Sequence, residues 1–569
     1  MKIYLAQQNY HIGNFQENTR KMIEAVQAAK LKGADLVVFS ELSVCGYPAR
    51  DFMEFSDFID QCYHSVEEIA QHADSIGVIV GGPHRNPIKE GKDLFNAAWF
   101  LYNKEVKAVV HKTLLPTYDV FDEYRYFEPA YEWQVIPFKG ERIALTICED
   151  IWNLGDNPLY RICPMDKLMP QQPTLMINIS ASPFDYDHDE DRKEVIRQNV
   201  LKYNLPMVYC NAVGAQTEIV FDGGSLVFEA NGALQKELSY FTEDYYLADL
   251  QTTVNTELAK SSSVGFDKDM RVGRVSNAAE VLSFLIKENN IAQIHKALLL
   301  GIKDYFTKMG FTKAILGSSG GIDSAVTIAL ACEALGSENV LAVGMPSMYS
   351  SEHSVSDAAQ LSKNLGSRFE IIPIKDIYDS FLESLKPLFG DLPFSVAEEN
   401  IQSRTRGNLL MSIANKFGYI LLNTSNKSEL ATGYGTLYGD MAGGLSVLGD
   451  VYKTQIFALA KFINRNREII PENIIIKPPS AELRPGQKDS DSLPEYHVLD
   501  MVLYQYIERR QGAKELISMG IDETLVRRIL KMVNSNEYKR NQFCPIIRVS
   551  TKAFGVGRRL PIVANYILG

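Results

Sequence analysis

The sequence predicts an α/β protein of two domains. Short apolar runs alternate with helix-like segments along most of the 569 residues. A polar, serine-bearing stretch at 252–290 interrupts this alternation and is typical of a linker. A glycine-rich turn in the second half stands between a strand and a helix, as in doubly wound parallel sheets. We therefore expect one domain at 1–251 and a second at 291–569.

The elements of the first domain follow from short runs rich in Val, Ile and Leu. Such runs predict strands, and longer segments of mixed polarity predict helices. The strands are expected at 3–6, 36–39, 78–80, 143–147, 175–179 and 207–210, with a helix at 18–32. This order predicts a layered α/β domain.

The second domain begins with a helix, expected at 294–309, and continues with strands separated by helical sequence. The strands are expected at 313–316, 340–344, 369–373 and 419–423, and a helix at 325–331 follows the first of them. Two stretches break this regularity, because 433–453 is rich in glycine and 477–494 is rich in proline and charge. We interpret both as active-site loops on a parallel, doubly wound sheet.

Composition narrows the class of protein. Hydrophobic residues make up 46% of the chain and charged residues 22%, as in globular proteins with a substantial core. The net charge of -12 disfavours a nucleic-acid partner. The seven cysteines include no C-x-x-C pair, which argues against a disulfide framework. Without a secretory signal or ~18 consecutive apolar residues, we expect a cytoplasmic location and no membrane partner.

The segment 316–325, LGSSGGIDSA, predicts a polyphosphate site. We expect Gly317, Gly320 and Gly321 to adopt backbone angles closed to other residues, which lets phosphate oxygens approach the main chain. The free amides that begin the next helix would then meet the anion. A Walker A loop would place a lysine where Ile322 stands, and its absence suits a reaction that releases the outer phosphates as pyrophosphate.

Residues 319–324 match the SGGxDS loop and resemble the pyrophosphatase-type ATP enzymes, which activate a substrate group by adenylation. The resemblance implies that ATP binds to the whole turn. Its expected ATP contacts are Gly317, Ser318, Ser319, Gly320, Gly321, Ile322, Asp323 and Ser324.

Three residues suited to acyl transfer stand just after apolar runs of the first domain, where α/β folds collect catalytic groups. Glu41 follows 36–39, Lys112 follows 109–111 and Cys148 follows 143–147. Glu41 can take the thiol proton, Cys148 can attack an amide carbonyl, and Lys112 can stabilise the oxyanion with a neighbouring backbone amide. A single cysteine at a strand end is more often core packing, so the prediction of an amidase depends on all three residues.

The segments FSELSVCGYPARD, HKTLLPTYDVFDEYRYFEP and TICEDIW resemble the signature regions of the nitrilase superfamily. The resemblance implies an α-β-β-α sandwich and a glutaminase that binds glutamine through Tyr118, Ser182 and the position of His188. Many relatives carry lysine where this chain has His188. Glu123 matches a second glutamate that positions the amide, although by its own sequence context it could equally be a solvated acidic residue.

An amidase joined to an adenylating enzyme has a chemical logic. A carboxylate is a poor electrophile, whereas its acyl adenylate expels AMP readily when ammonia attacks it. Covalent linkage of the domains allows an internal route for ammonia, which would be protonated or lost in bulk water. The two halves together predict the amidation of a carboxylate at the expense of glutamine and ATP.

The later motifs, among them SRTRGN, LNTSNKSE and NEYKR, resemble those of NAD synthetases, and the whole chain is similar to the glutamine-dependent family, whose acceptor is deamido-NAD. The resemblance implies Mg²⁺ at Asp323 and Glu429, and a homo-oligomer. It implies ATP contacts at Thr424, Lys453 and Ser480, and deamido-NAD contacts at Asn400, Arg404, Glu429 and Lys539. Leu437 stands where ammonia-using relatives have lysine.

Other interpretations stay open at this level. By their own sequence context, Lys539 is typical of a solvated helix face and Glu429 of a residue that complements a helix dipole. A GMP synthetase, an asparagine synthetase or a tRNA-modifying sulfurtransferase could share the phosphate loop. The first usually has a Cys-His-Glu glutaminase, the second an N-terminal cysteine where this chain has Lys2, and the third a cysteine pair near the loop where Cys332 stands alone. A nucleotide-binding scaffold without activity is disfavoured by the intact residues Glu41, Lys112, Cys148, Asp323 and Glu429.

Overall fold

A computed structural model describes residues 1–154, 159–186, 189–250, 278–564 and 566. The chain divides into two compact units, Met1–Arg271 and Val272–Gly569. Most of the predicted linker 252–290 lies outside the described residues. Its last part is helical, because helices begin at Ala278 and at Glu288.

The first unit contains two six-stranded sheets and one short hairpin. Its strands are β1 (Lys2–Gln7), β2 (Leu36–Val38), β3 (Gly77–Arg85), β4 (Leu94–Tyr102), β5 (Glu105–His111), β6 (Ile136–Phe138), β7 (Glu141–Ile147), β8 (Leu175–Ser180), β9 (Met207–Asn211), β10 (Val213–Gln216), β11 (Ile219–Asp222), β12 (Leu226–Phe228), β13 (Leu234–Glu237) and β14 (Asp244–Asp249). Its helices are α1 (Phe15–Leu31), α2 (Ser56–Gln71), α3 (Pro164–Leu168) and α4 (Asp189–Tyr203). The sheet orders are β14-β1-β2-β3-β4-β5 and β13-β12-β9-β8-β7-β6.

The two large sheets pack face to face, and helices cover their outer faces. Strand β1 shows the arrangement, because Ile3 and Leu5 belong to the core between the sheets, whereas Tyr4 and Ala6 pack with α1 and α2. Helices α3 and α4 cover the second sheet in the same way. Because both faces of these strands are buried, their sequences are continuous apolar runs and do not alternate between apolar and polar residues. The predicted α-β-β-α sandwich is confirmed.

The second unit contains one parallel five-stranded sheet. Its strands are β15 (Ala314–Gly317), β16 (Val340–Gly344), β17 (Arg368–Ile371), β18 (Ile420–Asn423) and β19 (Leu445–Ser446). Its helices are α5 (Ala278–Leu285), α6 (Glu288–Met309), α7 (Ile322–Leu335), α8 (Glu352–Leu365), α9 (Lys375–Phe389), α10 (Val396–Phe417), α11 (Lys427–Thr432), α12 (Lys453–Ile463), α13 (Glu472–Ile476), α14 (Tyr496–Leu503), α15 (Ala513–Ser518), α16 (Glu523–Ser535) and α17 (Glu537–Arg540). The order β17-β16-β15-β18-β19 confirms the doubly wound sheet.

The strand order changes direction between β15 and β18, and such a switch point is where doubly wound sheets bind ligands. The glycine-rich turn follows β15 at this point. Helix α7 begins at Ile322, three residues before the predicted start, so that it follows Gly321 directly. No helix of the described residues has the length and hydropathy that a bilayer span needs.

Helix α11 is anchored at its first residue by a buried cluster of charges. Lys427 is fully buried, and its Nζ lies 2.9 Å from Asp450 and 2.8 Å from Glu508. The same ammonium donates to the Ser550 hydroxyl at 2.7 Å. Asp450 also accepts from the backbone amides of Val549 and Ser550. The cluster therefore fixes the start of α11 to the C-terminal segment.

We expect Lys427→Met to lower the free energy of unfolding by about 3–5 kcal/mol, because two buried carboxylates lose their cation. Lys375→Met is the matched control, since that lysine pairs with Asp379 on the exposed surface of α9. An exposed pair contributes about 0–1 kcal/mol. Urea denaturation of both variants, followed by circular dichroism, measures the difference. Equal losses would contradict the assignment of Lys427 as an anchor.

Candidate active sites

Cys148 occupies a strained turn at the end of β7. It is the first residue of a short 3-10 helix, Cys148–Ile151, and its φ is +44°. A positive φ is uncommon for a residue with a side chain and needs support from its surroundings. Asp150 gives that support, since it accepts hydrogen bonds from the amides of Ile147, Thr113 and Leu114 at 2.9–3.0 Å. The same carboxylate therefore ties the cysteine turn to the segment that follows Lys112.

The Lys112 ammonium stands between two carboxylates in the interior of the first unit. Its Nζ lies 2.7 Å from Oε1 of Glu41 and 2.8 Å from Oε1 of Glu123, and all three side chains are buried. Further donors hold the carboxylates in place: Asn96 Nδ2 to Glu41 at 2.8 Å and to Glu123 at 3.4 Å, Tyr47 OH to Glu123 at 2.9 Å, and the amide of Ala181 to Glu41 at 2.9 Å. Glu123 thus belongs to the cluster and is not a solvated residue.

Burial controls the protonation of this cluster. It would by itself lower the pKa of Lys112, but the charges of Glu123 and Glu41 outweigh it and hold that pKa above its ordinary value. Burial, with the charge of Glu41, raises the pKa of Glu123 to about 7 against the lowering effect of Lys112. Burial and the charge of Glu41 also raise the pKa of the Cys148 thiol. The thiol is therefore neutral at rest, and its attack requires a base.

A further carboxylate, Glu149, lies beside the cysteine and was not assigned a role from the sequence. It is buried, and the hydroxyl of Tyr118 donates to its two oxygens at 3.1 and 3.0 Å. The hydroxyl of Tyr160 donates to the same carboxylate at 3.0 Å. The sequence shows acidic residues directly after Cys148, but it does not show that two tyrosines donate to one of them. The amide of Ser182 donates to Asn211, and His188 lies outside the described residues.

The glycine-rich turn has the predicted form, with one correction. Only Gly320 adopts a positive φ, at +74°, whereas Gly317 and Gly321 have angles open to other residues. A Cβ atom at position 320 would lie 2.2 Å from the carbonyl oxygen of Ser354. The Ser319 hydroxyl accepts from the amide of Gly321 at 3.2 Å and contacts the Ser324 hydroxyl at 3.2 Å. The turn thus leads directly into the free amides at the start of α7.

A cavity of about 300 Å³ opens over this turn. Its walls include Gly344 and Met345 at the end of β16, and residues of the two irregular segments that the sequence predicted as active-site loops. Of the predicted ATP contacts it gathers Gly317, Ser318, Ser319, Gly321, Ile322, Asp323, Ser324, Thr424, Lys453 and Ser480. Gly320 does not line it, because this glycine packs against Ser354.

Lys453 stands between the two predicted metal ligands. Its Nζ lies 2.5 Å from Oδ2 of Asp323 and 3.6 Å from Oε1 of Glu429. The side-chain Nδ2 of Asn426 donates to the other oxygen of Asp323 at 3.0 Å. Burial and the charge of Asp323 raise the pKa of Glu429 to about 8, although Lys453 acts against them. Carboxylate oxygens are ligands that suit a hard cation, although no group of three or more metal-binding side chains occurs in the described part of the chain.

Three residues predicted to contact deamido-NAD form hydrogen bonds with one loop of the second unit, residues 433–437. Thr436 Oγ1 donates to Asn400 at 2.7 Å, and Arg404 Nε donates to the carbonyl of Leu437 at 3.2 Å. Lys539 Nζ donates to the carbonyls at positions 433 and 435 at 2.7 and 2.8 Å. Lys539 is therefore half-buried and is not a solvated helix residue. Of the four residues predicted to contact deamido-NAD, Glu429 alone lines the described cavity.

Comparison with known proteins covers the whole chain. Residues 2–259 match the family model for carbon-nitrogen hydrolases, and residues 294–543 match the model for NAD synthases. The chain is 43% identical over 571 residues to the glutamine-dependent NAD(+) synthetase of Synechocystis sp., with 99% of each chain covered. It is 40% identical over 579 residues to the enzyme of that name from Thermotoga maritima, covering 100% of this chain and 99% of the relative. The solved glutamine-dependent NAD+ synthetase from Acinetobacter baumannii, in complex with ADP, matches with a TM-score of 0.73 and 36% identity, over 99% of each chain.

At the predicted ATP site, we expect Gly320→Ala to weaken nucleotide binding at least about tenfold, because the new methyl group forces the turn away from Ser354. Gly366→Ala is the matched control, since Gly366 has a similar φ of +73° but no atom within 4 Å of the added Cβ. The control carries only the backbone penalty of about 1–2 kcal/mol. Calorimetric titration with ADP measures both variants, and equal affinities would contradict the assignment of the turn as the phosphate site.

Proposed function

The chain belongs to the family of glutamine-dependent NAD(+) synthetases, and we propose how its residues divide the reaction between two sites. It catalyses the amidation of deamido-NAD⁺: ATP, glutamine and water are consumed, and AMP, diphosphate, glutamate and NAD⁺ are formed. The first unit is the carbon-nitrogen hydrolase that frees ammonia, and the second is the NAD synthase. Ammonia released at Cys148 is the substrate that passes from the first reaction to the second.

Glutamine hydrolysis is assigned to Cys148, Glu41, Lys112 and Glu123. Glu41 takes the thiol proton as Cys148 Sγ attacks the amide carbon, and it returns that proton to the leaving ammonia. Lys112 and the backbone amide of Glu149 stabilise the oxyanion, while Glu123 holds Lys112 from its other side. Water then hydrolyses the glutamyl thioester. The observation that carries this proposal is the contact of one buried ammonium with both glutamates at 2.7 and 2.8 Å.

The glutamine subsite is assigned to residues beside the nucleophile. The Glu149 carboxylate, held by the hydroxyls of Tyr118 and Tyr160, is suited to receive the α-ammonium of glutamine. Ser182 and His188 complete the proposed contacts. Ser182 follows Ala181, whose amide holds Glu41, so that substrate binding and base positioning share one segment.

ATP binding is assigned to the turn 317–324 together with Thr424, Lys453 and Ser480, since all of these residues except Gly320 line one cavity. The solved relative from Acinetobacter baumannii, which is in complex with ADP, supports nucleotide binding by this chain. In the proposed order, the nicotinate carboxylate attacks the α-phosphate and pyrophosphate leaves. Ammonia then attacks the adenylate and expels AMP. Asn400, Arg404, Glu429 and Lys539 are the proposed contacts of deamido-NAD.

Mg²⁺ is proposed at Asp323 and Glu429. Their carboxylate oxygens are the ligands this ion prefers, and burial together with the charge of Asp323 raises the pKa of Glu429, so that Glu429 holds a proton which a bound cation would displace. When bound, Mg²⁺ would neutralise phosphate charge as pyrophosphate departs. Asn426 orients Asp323, and Lys453 supplies the fixed cation of the pair.

We also propose a homo-oligomer. Helices α9 and α10 and the segment between them expose large apolar side chains, which often mark protein–protein contacts. Among the described residues they include Phe381, Leu388, Leu392, Phe394 and Val396, with exposed fractions of 44–81%.

We expect Cys148→Ala to abolish NAD⁺ formation from glutamine and to leave formation from ammonium salts intact, because the second site needs only ammonia. Cys163→Ala is the control, since this half-buried cysteine contacts Tyr203 in the same unit and takes no part in the proposed chemistry. Product formation with each nitrogen source measures both variants. Loss of both activities in Cys148→Ala would refute separate sites.

We expect the affinity for Mg²⁺ with ADP present to rise about tenfold between pH 7 and pH 9, because the ion displaces a proton from Glu429, whose pKa is about 8. Glu429→Gln should weaken Mg²⁺ binding and remove this pH dependence. Glu383→Gln, an exposed position on α9, should retain it. Calorimetric titration with Mg²⁺ measures all three proteins, and an unchanged pH dependence in Glu429→Gln would exclude the assigned ligand.

A further inference from the structure

A chain of buried polar groups runs from helix α4 to the proposed glutamine subsite. It starts at Arg192, which is 1% exposed. Its Nη1 and Nη2 donate to Oδ1 and Oδ2 of Asp222 at 2.9 and 2.8 Å. This bidentate geometry fixes the plane of the carboxylate as well as its position.

Asp222, the last residue of β11, determines the orientation of Asn211. The Nδ2 of Asn211 donates to Oδ1 of Asp222 at 3.4 Å and to the carbonyl of Gly223 at 2.8 Å. With both acceptors on the Nδ2 side, the Oδ1 of Asn211 faces the opposite way. It accepts the backbone amide of Ser182 at 2.9 Å. A reversed amide would lose all three contacts, so the charge on Asp222 keeps Asn211 in a single orientation.

The segment that Asn211 holds is shared with the catalytic base. The amide of Ala181 donates to Oε2 of Glu41 at 2.9 Å, one residue before the amide held by Asn211. On the other side, the Tyr209 hydroxyl donates to the Ser180 hydroxyl at 3.0 Å. Two consecutive backbone amides, those of Ala181 and Ser182, thus donate to Glu41 and to Asn211. A shift of this segment would move Glu41 and Ser182 together.

We propose that Arg192 is a positioning residue for glutamine hydrolysis, which acts through Asp222 and Asn211 to fix the segment 181–182. The inference rests on the proposed roles of Glu41 and Ser182. A buried ion pair contributes little net stability compared with apolar packing, so stability alone gives no reason for a guanidinium here. A fixed orientation of Asn211 is a property that an apolar pair at these positions could not supply.

The test compares Arg192→Gln and Arg192→Lys with Arg197→Gln, a control on the same helix whose arginine makes only a partly exposed contact with Glu194. We expect Arg192→Gln to raise KM for glutamine, to lower kcat, and to reduce kcat/KM at least about tenfold, since small displacements of catalytic groups have large effects. Arg192→Lys, which keeps the charge but not the bidentate contact, should lie between Arg192→Gln and the wild type. Ammonium-supported synthesis should be unchanged in all three.

Each readout separates positioning from folding. Kinetics are measured at a temperature where circular dichroism shows the folded protein, and if Arg192→Gln does not fold there, Arg192→Lys decides the outcome. Wild-type kcat and KM for glutamine in a folded variant would overturn the inference. The inference would also be overturned if cooling fully restored the lost glutaminase activity, since the loss would then reflect unfolding. Glutamine hydrolysis that persists in Cys148→Ala would instead refute the proposed function.

Discussion

A buried lysine ammonium held between two carboxylates is the interaction on which both sites depend. Lys112 lies between two glutamates in the first unit, and Lys453 lies between an aspartate and a glutamate in the second. Lys427 repeats the arrangement at the start of α11. One cation cannot fully compensate two carboxylates away from water, so one carboxyl of each site has a raised pKa, about 7 at Glu123 and about 8 at Glu429. The two sites use this electrostatic imbalance in different ways.

At Cys148, burial and the charge of Glu41 raise the pKa of the thiol and keep the nucleophile protonated, so the thiolate forms only when the base takes its proton during attack. This differs from cysteine enzymes in which a neighbouring cation lowers the pKa of the thiol in advance. At the proposed Mg²⁺ site, Asp323 and Glu429 would instead offer oxygen ligands to a second cation beside Lys453, which would displace the proton of Glu429. In this proposal the same arrangement serves proton transfer at one site and phosphate chemistry at the other.

The sequence predicted the features that depend on local order. Glu41 and Cys148 each follow a buried run and Lys112 follows the partly buried end of β5, and the ends of β2, β5 and β7 bring them together. The phosphate turn was recognisable for the same reason, since its glycines, hydroxyls and carboxylate are consecutive. The sequence overstated the role of glycine, because Gly320 alone needs a positive φ, and resemblance could not reveal that Gly320 packs against Ser354.

The contacts that the sequence did not reveal join residues far apart in the chain. Tyr47 reaches Glu123 across 76 positions, and Lys453 reaches Asp323 across 130. No periodicity or spacing encodes such pairs, because they follow from how the sheets and helices pack. Tyr160 and Glu149 are close in sequence, yet their contact depends on the turn after Cys148. Asn400, Arg404 and Lys539 were identified by resemblance alone, and their contacts with one loop became visible only in the structure.

The central claim is that glutamine is cleaved through a thioester on Cys148, formed with Glu41 as the base. Acid quenching of the protein during turnover with glutamine, followed by digestion and mass spectrometry, tests it directly. We expect a glutamyl adduct on the peptide that contains Cys148 and on no other cysteine peptide, and we expect the rate of its formation to fall sharply in Glu41→Gln. An adduct on another cysteine, or adduct formation at the wild-type rate in Glu41→Gln, would contradict the account.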